Sequence, residues 1–273
     1  MKGGFKMLFS FEEYLKKKNL SQNTINSYLF TVKQYQSKYF IVSKKNLQAY
    51  KTFLIENYKT KTVNLRLQAI NTYLKYLKRE NWKLPLLKLQ QKNFLENVIS
   101  EADYEYFKKC LKNDKEMFWY FVIRFLTATG ARISELIQFK VEHVTVGFFD
   151  LYSKGGKLRR IYIPKKLQEE ALKWFEENDI TDGFIFKNRY GNKITARGIS
   201  NELKKLSLKY ELNPKVIYPH SFRHRFAKSF LDRFNDISLL ADLMGHESIE
   251  TTRIYLRRTS TEQQEIVNKI IDW

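Results

Sequence analysis

The sequence predicts a mainly α-helical protein of two domains, the second carrying a small β-hairpin. Three observations lead there. Between Gly4 and Gly130 the chain has no glycine and a single proline, Pro85, which is the composition of helices joined by short polar connections. Apolar residues recur at helical spacing along most of the chain. From Val144 to Pro164 they give way to aromatic and β-branched runs on either side of Gly155-Gly156, a hairpin signal. The charge is also divided unevenly: residues 1–95 hold 19 Lys and Arg against 4 Asp and Glu, and residues 96–273 hold 30 against 25.

With 273 residues, 43% hydrophobic and 15% aromatic, the chain can bury real cores, which excludes global disorder. No run approaches the roughly 18 apolar residues of a membrane span, and the first ten residues lack the apolar core of a signal peptide. A cytoplasmic, nucleoid-associated protein is expected, with no membrane partner. The single cysteine, Cys110, excludes an intramolecular disulfide. A formal charge of +20 favours a polyanionic partner. Its concentration in the first third of the chain separates that reading from a merely lysine-rich composition.

The first domain is placed at residues 1–90. Phe11–Lys18 reads as a short helix, and Ser21 suits an N-cap for the next, on which Ile25, Tyr28, Leu29, Val32 and Tyr35 share a face. Leu47, Tyr50, Phe53, Leu54 and Tyr58 repeat the pattern, as do Val63, Leu65, Ile70, Tyr73, Leu74 and Leu77, giving about four amphipathic helices. Tyr58, Thr60 and Asn64 could read bases or serve in packing and capping. Periodicity fades around Pro85, so a linker is placed at 91–98 and the second domain at 99–260.

Ser100 to Asp103 resembles a capping box. Met117–Ala128 is apolar almost all round and is expected to be a buried helix ending near Gly130. Arg132 follows, with Glu135 three residues on and on the same face, an arrangement that would also suit a plain ion pair. Val144–Tyr152 and Leu158–Ile163 are the expected strands. Pro164–Asn178 and Thr195–Tyr210 read as helices. Thr261–Trp273 reads as a terminal helix whose Ile266, Val267, Ile270 and Ile271 form an apolar stripe.

The chemistry concentrates between Pro219 and Tyr255. Pro219 suits the first turn of a helix, where its missing N–H costs nothing, and His220 and Arg223 then share a face. Leu243-Met244-Gly245-His246 reads as a helix end at glycine that delivers a second imidazole. Nine residues later comes Tyr255, in Thr251-Thr252-Arg253-Ile254-Tyr255. Imidazoles, a guanidinium and a phenol in this order suit attack on a phosphodiester. His220 and His224 also have the spacing of a metal pair, but Ser221 stands where a zinc-protease motif has glutamate and no cysteine cluster completes a site. No metal and no cofactor is expected.

These segments, together with Thr129-Gly130-Ala131-Arg132-Ile133-Ser134-Glu135-Leu136, resemble the tyrosine recombinases, the lambda-integrase or Xer/Cre family, in the family's order. The resemblance implies a helical core-binding domain that closes over DNA and a mixed α/β catalytic domain. It implies site-specific cleavage and rejoining of duplex DNA through a 3′-phosphotyrosyl intermediate, for integration, excision, inversion or dimer resolution. Tyr255 would be the nucleophile, Arg132 and Arg223 the phosphate clamp with Glu135 orienting Arg132, and His220 a phosphate ligand able to take the phenol proton. His246 would stabilise the transition state or position Tyr255. Lys154 in the hairpin turn would donate to the leaving oxygen, with Lys157 as its competitor. Candidate DNA contacts are Lys16, Lys44, Lys45, Lys61 and Arg66, then Lys157, Arg159 and Arg197; Arg159 and Arg160 suit backbone contacts or solvation. The expected partner is double-stranded DNA with an inverted-repeat site, bound by a homotetramer across two sites, the free protein being a monomer. Segment 261–273 is expected to dock on a neighbouring subunit. The rival readings are a type IB topoisomerase and a catalytically idle DNA-binding accessory protein.

Overall fold

The computed structural model describes residues 2–89, 97–152 and 158–256, together with 264, 265, 267 and 268. The chain forms two compact units, Met1–Gln91 and Lys92–Trp273, and is mainly α-helical with one two-stranded sheet. Among the described residues no helix is long and apolar enough to cross a membrane.

The first unit holds α1 (Lys2–Lys17), α2 (Gln22–Lys38), α3 (Lys44–Asn57) and α4 (Thr60–Tyr76). Ser21 and Ser43 cap α2 and α3 by accepting from Thr24 N and Asn46 N, satisfying donors that a helix start leaves free. α1 begins at Lys2 rather than Phe11. Leu8 packs on the cluster of Phe11, Leu15, Ile25, Val32 and Tyr73, which rewards continuing the helix toward the N-terminus. A second cluster joins Tyr35, Leu47, Tyr50, Leu54, Val63, Leu67, Ile70 and Leu74. The side-chain amides of Asn64 and Asn71, two turns apart on α4, each bond both the N–H and the C=O of one residue of the extended segment beyond, Leu87 and Leu84 respectively, at 2.8–2.9 Å. Asn64 therefore anchors chain. The linker expected at 91–98 falls mostly outside the described residues.

In the second unit α5 (Glu101–Asn113) is capped by Ser100, and α6 (Met117–Thr129) is the central apolar helix. Short helices α7 (Ile133–Leu136) and α8 (Val141–Val146) lead to β1 (Phe148–Tyr152), which pairs antiparallel with β2 (Leu158–Tyr162). The strand expected from Val144 starts at Phe148, because Val144 and Val146 belong to α8, which ends at Gly147 with φ 86. α9 (Lys165–Glu177), α10 (Ala196–Lys209), α11 (Pro219–Phe234), α12 (Ile237–Met244) and α13 (Ile249–Thr252) complete the unit, and a 3-10 turn, Arg253–Leu256, carries Tyr255. The core is built on α6, where Phe121, Phe125 and Leu126 pack with Phe107, Phe139, Phe186 and Phe222.

Candidate active site

Two glycines bring the helices close enough to make the site. α6 ends at Gly130 in the left-handed conformation (φ 61), and a Cβ there would fall 2.4 Å from Phe226 Cδ1, so α11 can lie against this end only over glycine. α12 ends at Gly245 (φ 61), where a Cβ would meet Arg159 Cδ at 2.3 Å.

Three successive carbonyls at the end of α12 are each taken by a different arginine. Leu243 O accepts from Arg159 Nε at 3.0 Å and Nη2 at 2.9 Å, Met244 O from Arg223 Nη2 at 2.7 Å, and Gly245 O from Arg132 Nη2 at 2.9 Å. Arg223 Nη1 also donates to Gly130 O at the end of α6. Carbonyls at a helix C-terminus lack helical partners and sit at the negative end of the dipole. They hold guanidinium groups in place while leaving most of the positive charge uncancelled. Arg223 is 2% exposed, and burial together with Arg132 and Arg159 brings its pKa down to about 10, still protonated at neutral pH.

Glu135 is the carboxylate among them. Its Oε1 accepts from Arg132 Nη1 at 2.8 Å and Arg159 Nη1 at 2.6 Å, its Oε2 accepts from the Arg132 backbone N–H at 2.7 Å, and Arg223 Nη1 lies 3.9 Å from Oε2. Burial would raise its pKa, but the Arg159 charge and the Arg132 hydrogen bonds outweigh burial and hold it below the ordinary value. Three guanidinium groups against one carboxylate leave a positive site.

Tyr255 is 6% exposed, on a cluster of Ala227, Leu231, Leu240 and Met244. Its hydroxyl lies 3.1 Å from His224 Nδ1. Burial raises the phenol pKa, opposed by the charges of Arg223 and Arg132. The His246 ring lies nearly parallel to the Tyr255 ring, centroids 6.3 Å apart. His246 Nε2 is 3.1 Å from Arg223 Nη2, and its Nδ1 is 2.7 Å from Thr252 Oγ1. A guanidinium only donates, so Nε2 is the acceptor and Nδ1 carries the proton, donated to Thr252. Burial and the neighbouring arginines bring His246 down to about 4. Burial, His220 and Arg223 do the same to His224. His220 is exposed and makes no hydrogen bond with another described residue; burial of part of its ring and the charges of Arg223 and Arg132 lower its pKa.

The structure thus brings together Arg132, Glu135, Arg223, His246 and Tyr255, with His220 at the rim one helical turn from His224. Lys154 and Lys157 lie outside the described residues. Arg159, expected on a DNA-facing surface, is 11% exposed in its side chain and bonded inward. Arg160 is held by both oxygens of Asp150, at 2.8 and 2.7 Å. Lys16 is paired with Glu12 and Glu13, and Arg66 stacks on Tyr58 and Phe30 while bonding Gln34. Lys44, Lys45, Lys61 and Arg197 are exposed. Thr252, fully buried against His246, escaped sequence reasoning; its only signal was membership of the Thr251–Tyr255 segment. Among the described residues no group of three or more His, Cys, Asp or Glu side chains is placed to hold a metal ion.

Residues 93–262 match the phage integrase family, and residues 8–81 match the phage integrase N-terminal SAM-like domain. Tyrosine recombinase XerA of Pyrococcus furiosus is 27% identical over 272 residues, spanning 96% of this chain and 93% of that protein. Tyrosine recombinase XerC of Leptospira interrogans is 28% identical over 284 aligned positions, spanning 95% and 91%. Solved structures share the fold, two of them as follows. The Tn1549 transposon integrase in complex with transposon right end DNA has a TM-score of 0.72 at 17% identity, covering 98% of this chain and 99% of that one. The XerH recombinase bound to its difH substrate has a TM-score of 0.67 at 19% identity, covering 88% and 78%. With both of its compact units matched and its arginines, histidines and tyrosine gathered at one place, the chain belongs to the phage integrase family, among the tyrosine recombinases.

Proposed function

We propose that the protein is a site-specific DNA recombinase in which Tyr255 attacks a phosphodiester held by Arg132 and Arg223. The observation that carries this reading is the seating of the two guanidinium groups on adjacent carbonyls, Gly245 and Met244, beside the buried Tyr255. Phosphoryl transfer is largely a matter of positioning and charge neutralisation, and planar guanidinium forks anchored on neutral carbonyls keep their charge for the phosphate. Attack by the phenol oxygen forms a 3′-phosphotyrosyl bond and releases a 5′-hydroxyl. The bond energy stays in the covalent enzyme, so resealing requires no nucleotide. Glu135 orients Arg132, exposed His220 reaches the phosphate, His246 supports Arg223 and the Tyr255 ring, and Lys154 donates to the leaving oxygen.

The partner is duplex DNA, a reading supported by the similar structures solved with DNA or a substrate site bound, and the site is read as an inverted repeat from the family resemblance. The first unit, rich in lysine, clamps the duplex, and four protomers join two sites. Segment 261–273 links neighbouring protomers, so its deletion is expected to spare half-site binding and abolish the tetramer on native gels; loss of half-site binding as well would place the segment in its own subunit's core. Similarity to Xer proteins favours a role in resolving, inverting or moving DNA segments in the cytoplasm.

The test of the nucleophile is Tyr255→Phe, assayed on a nicked duplex built from the sequence recovered by binding selection in randomised DNA. The variant is expected to bind as the unsubstituted chain does and to form no covalent adduct. An adduct formed by the variant would move the nucleophile to another tyrosine.

A further inference from the structure

The geometry points to His224 as the group that takes the proton from Tyr255 when the phenol attacks. This inference rests on the reading of Tyr255 as nucleophile. Three imidazoles stand near the phenol, and the structure separates them by what their nitrogens already do. His246 has neither nitrogen free, since Nε2 accepts from Arg223 and the proton on Nδ1 is given to Thr252. His220 is exposed and has no hydrogen bond to Tyr255 or any other described residue. His224 alone puts a ring nitrogen against the hydroxyl, at 3.1 Å, with ring centroids 5.3 Å apart.

The step balances with these groups and the donor to the leaving oxygen assigned in the proposed function. In the tautomer with its proton on Nε2, His224 offers the Nδ1 lone pair to the phenol. The O–H bond breaks toward Nδ1 as the phenol oxygen bonds to phosphorus, the bond to the 5′ oxygen breaks, and that oxygen is protonated by a separate donor. On resealing, the imidazolium returns the proton to Tyr255.

The surroundings keep the acceptor ready. Burial first, then the charges of His220 and Arg223 on its own helix, hold His224 at about 4, so with Tyr255 Oη against its Nδ1 the imidazole stays neutral at physiological pH. A bound phosphate offsets the Arg223 charge, so His224 becomes a better base when substrate arrives.

The experiment compares the full chain with His224→Asn and His224→Gln on the nicked duplex described above, following DNA binding and single-turnover adduct formation. Asn can keep a hydrogen bond near the Nδ1 position and cannot take a proton. Binding is expected to be unchanged, with adduct formation slowed by about 10²- to 10⁴-fold, the usual range for a general base. In the unsubstituted chain the rate should already be level across neutral pH, above the pKa of His224, whereas in the variants it should keep climbing tenfold per pH unit. A fluorinated tyrosine of greater phenol acidity at position 255 should restore much of the lost rate in the His224→Asn background; a merely structural histidine would show no such rescue. Variants that bind and cleave at the unsubstituted rate, or slow variants that retain the original pH profile and gain nothing from the fluorinated phenol, overturn the assignment of His224. If the unsubstituted chain itself forms no adduct, the reading of Tyr255 fails, and this inference fails with it.

Discussion

Arg159 Nη1 stands 2.6 Å from Glu135 Oε1, closer than the 2.8 Å between Glu135 and Arg132. The arginine nearest the carboxylate is thus the one on β2. Its other two nitrogens grip Leu243 O, so one side chain ties the hairpin, the Arg132–Glu135 pair and the end of α12. Arg159→Ala would leave a buried carboxylate short of one partner and a helix-end carbonyl without donors. The expected cost is about 3 kcal/mol of unfolding free energy, read by urea denaturation, since removing one member of a buried pair strands the other. Arg159→Lys should lose part of this, because one ammonium cannot span both acceptors. A change under about 0.5 kcal/mol for Arg159→Ala would mean that the pair behaves like an exposed contact.

Acid should loosen the fold in a defined window. The ordinary imidazole value is 6.5, while His224 and His246 are both brought down to about 4. As pH falls from 6.5 toward 4 the unfolded chain takes up protons that the folded chain refuses, so stability declines across that range. The slope should approach two protons from this pair, and above pH 7 the contribution vanishes. Glu135 acts separately: its lowered pKa gives stability that is lost at the acid end, as pH falls below 4.5. Urea midpoints measured at intervals from pH 7 to 4 should show the decline, and His224→Asn should flatten it by about one proton. An unchanged slope in that variant would show that the His224 imidazole protonates normally in the folded chain.

The longer helices were legible because they carry their own apolar period and, at Ser21 and Ser100, a serine that caps the helix start. Their limits were less so. Whether α1 starts at Lys2 or Phe11 depends on Leu8 finding a core made by other helices. The strand start turned on Gly147, which ends α8 inside a run that reads as β-branched. At the site, Arg132, Arg223, His246 and Tyr255 were visible because short motifs carry them. The environment of Arg159 was not, since its partners lie 24 and 84 residues away and no local pattern distinguishes an inward arginine from its neighbour Arg160, which pairs with Asp150 at the hairpin surface.

The charge of the first unit yields the last prediction. Lys44 and Lys45 open α3 and Lys61 lies in the first turn of α4; all three are exposed, and none forms an ion pair with a described residue. Lys16, by contrast, already neutralises two glutamates, at 3.1 and 2.9 Å. If the free lysines track phosphates, each releases about one counterion on binding, and changing all three to glutamine should lower the salt slope of log K by about 3. Lys16→Gln should leave the slope nearly unchanged, because that side chain has partners of its own. Both proteins would be titrated with the same selected duplex between 50 and 200 mM salt, a range over which a slope change of about 3 is readily seen. Equal slopes for the triple variant and the unsubstituted chain would mean that these lysines face solvent in the complex, and the positive charge of residues 1–95 would then have to act elsewhere on that unit or not at all.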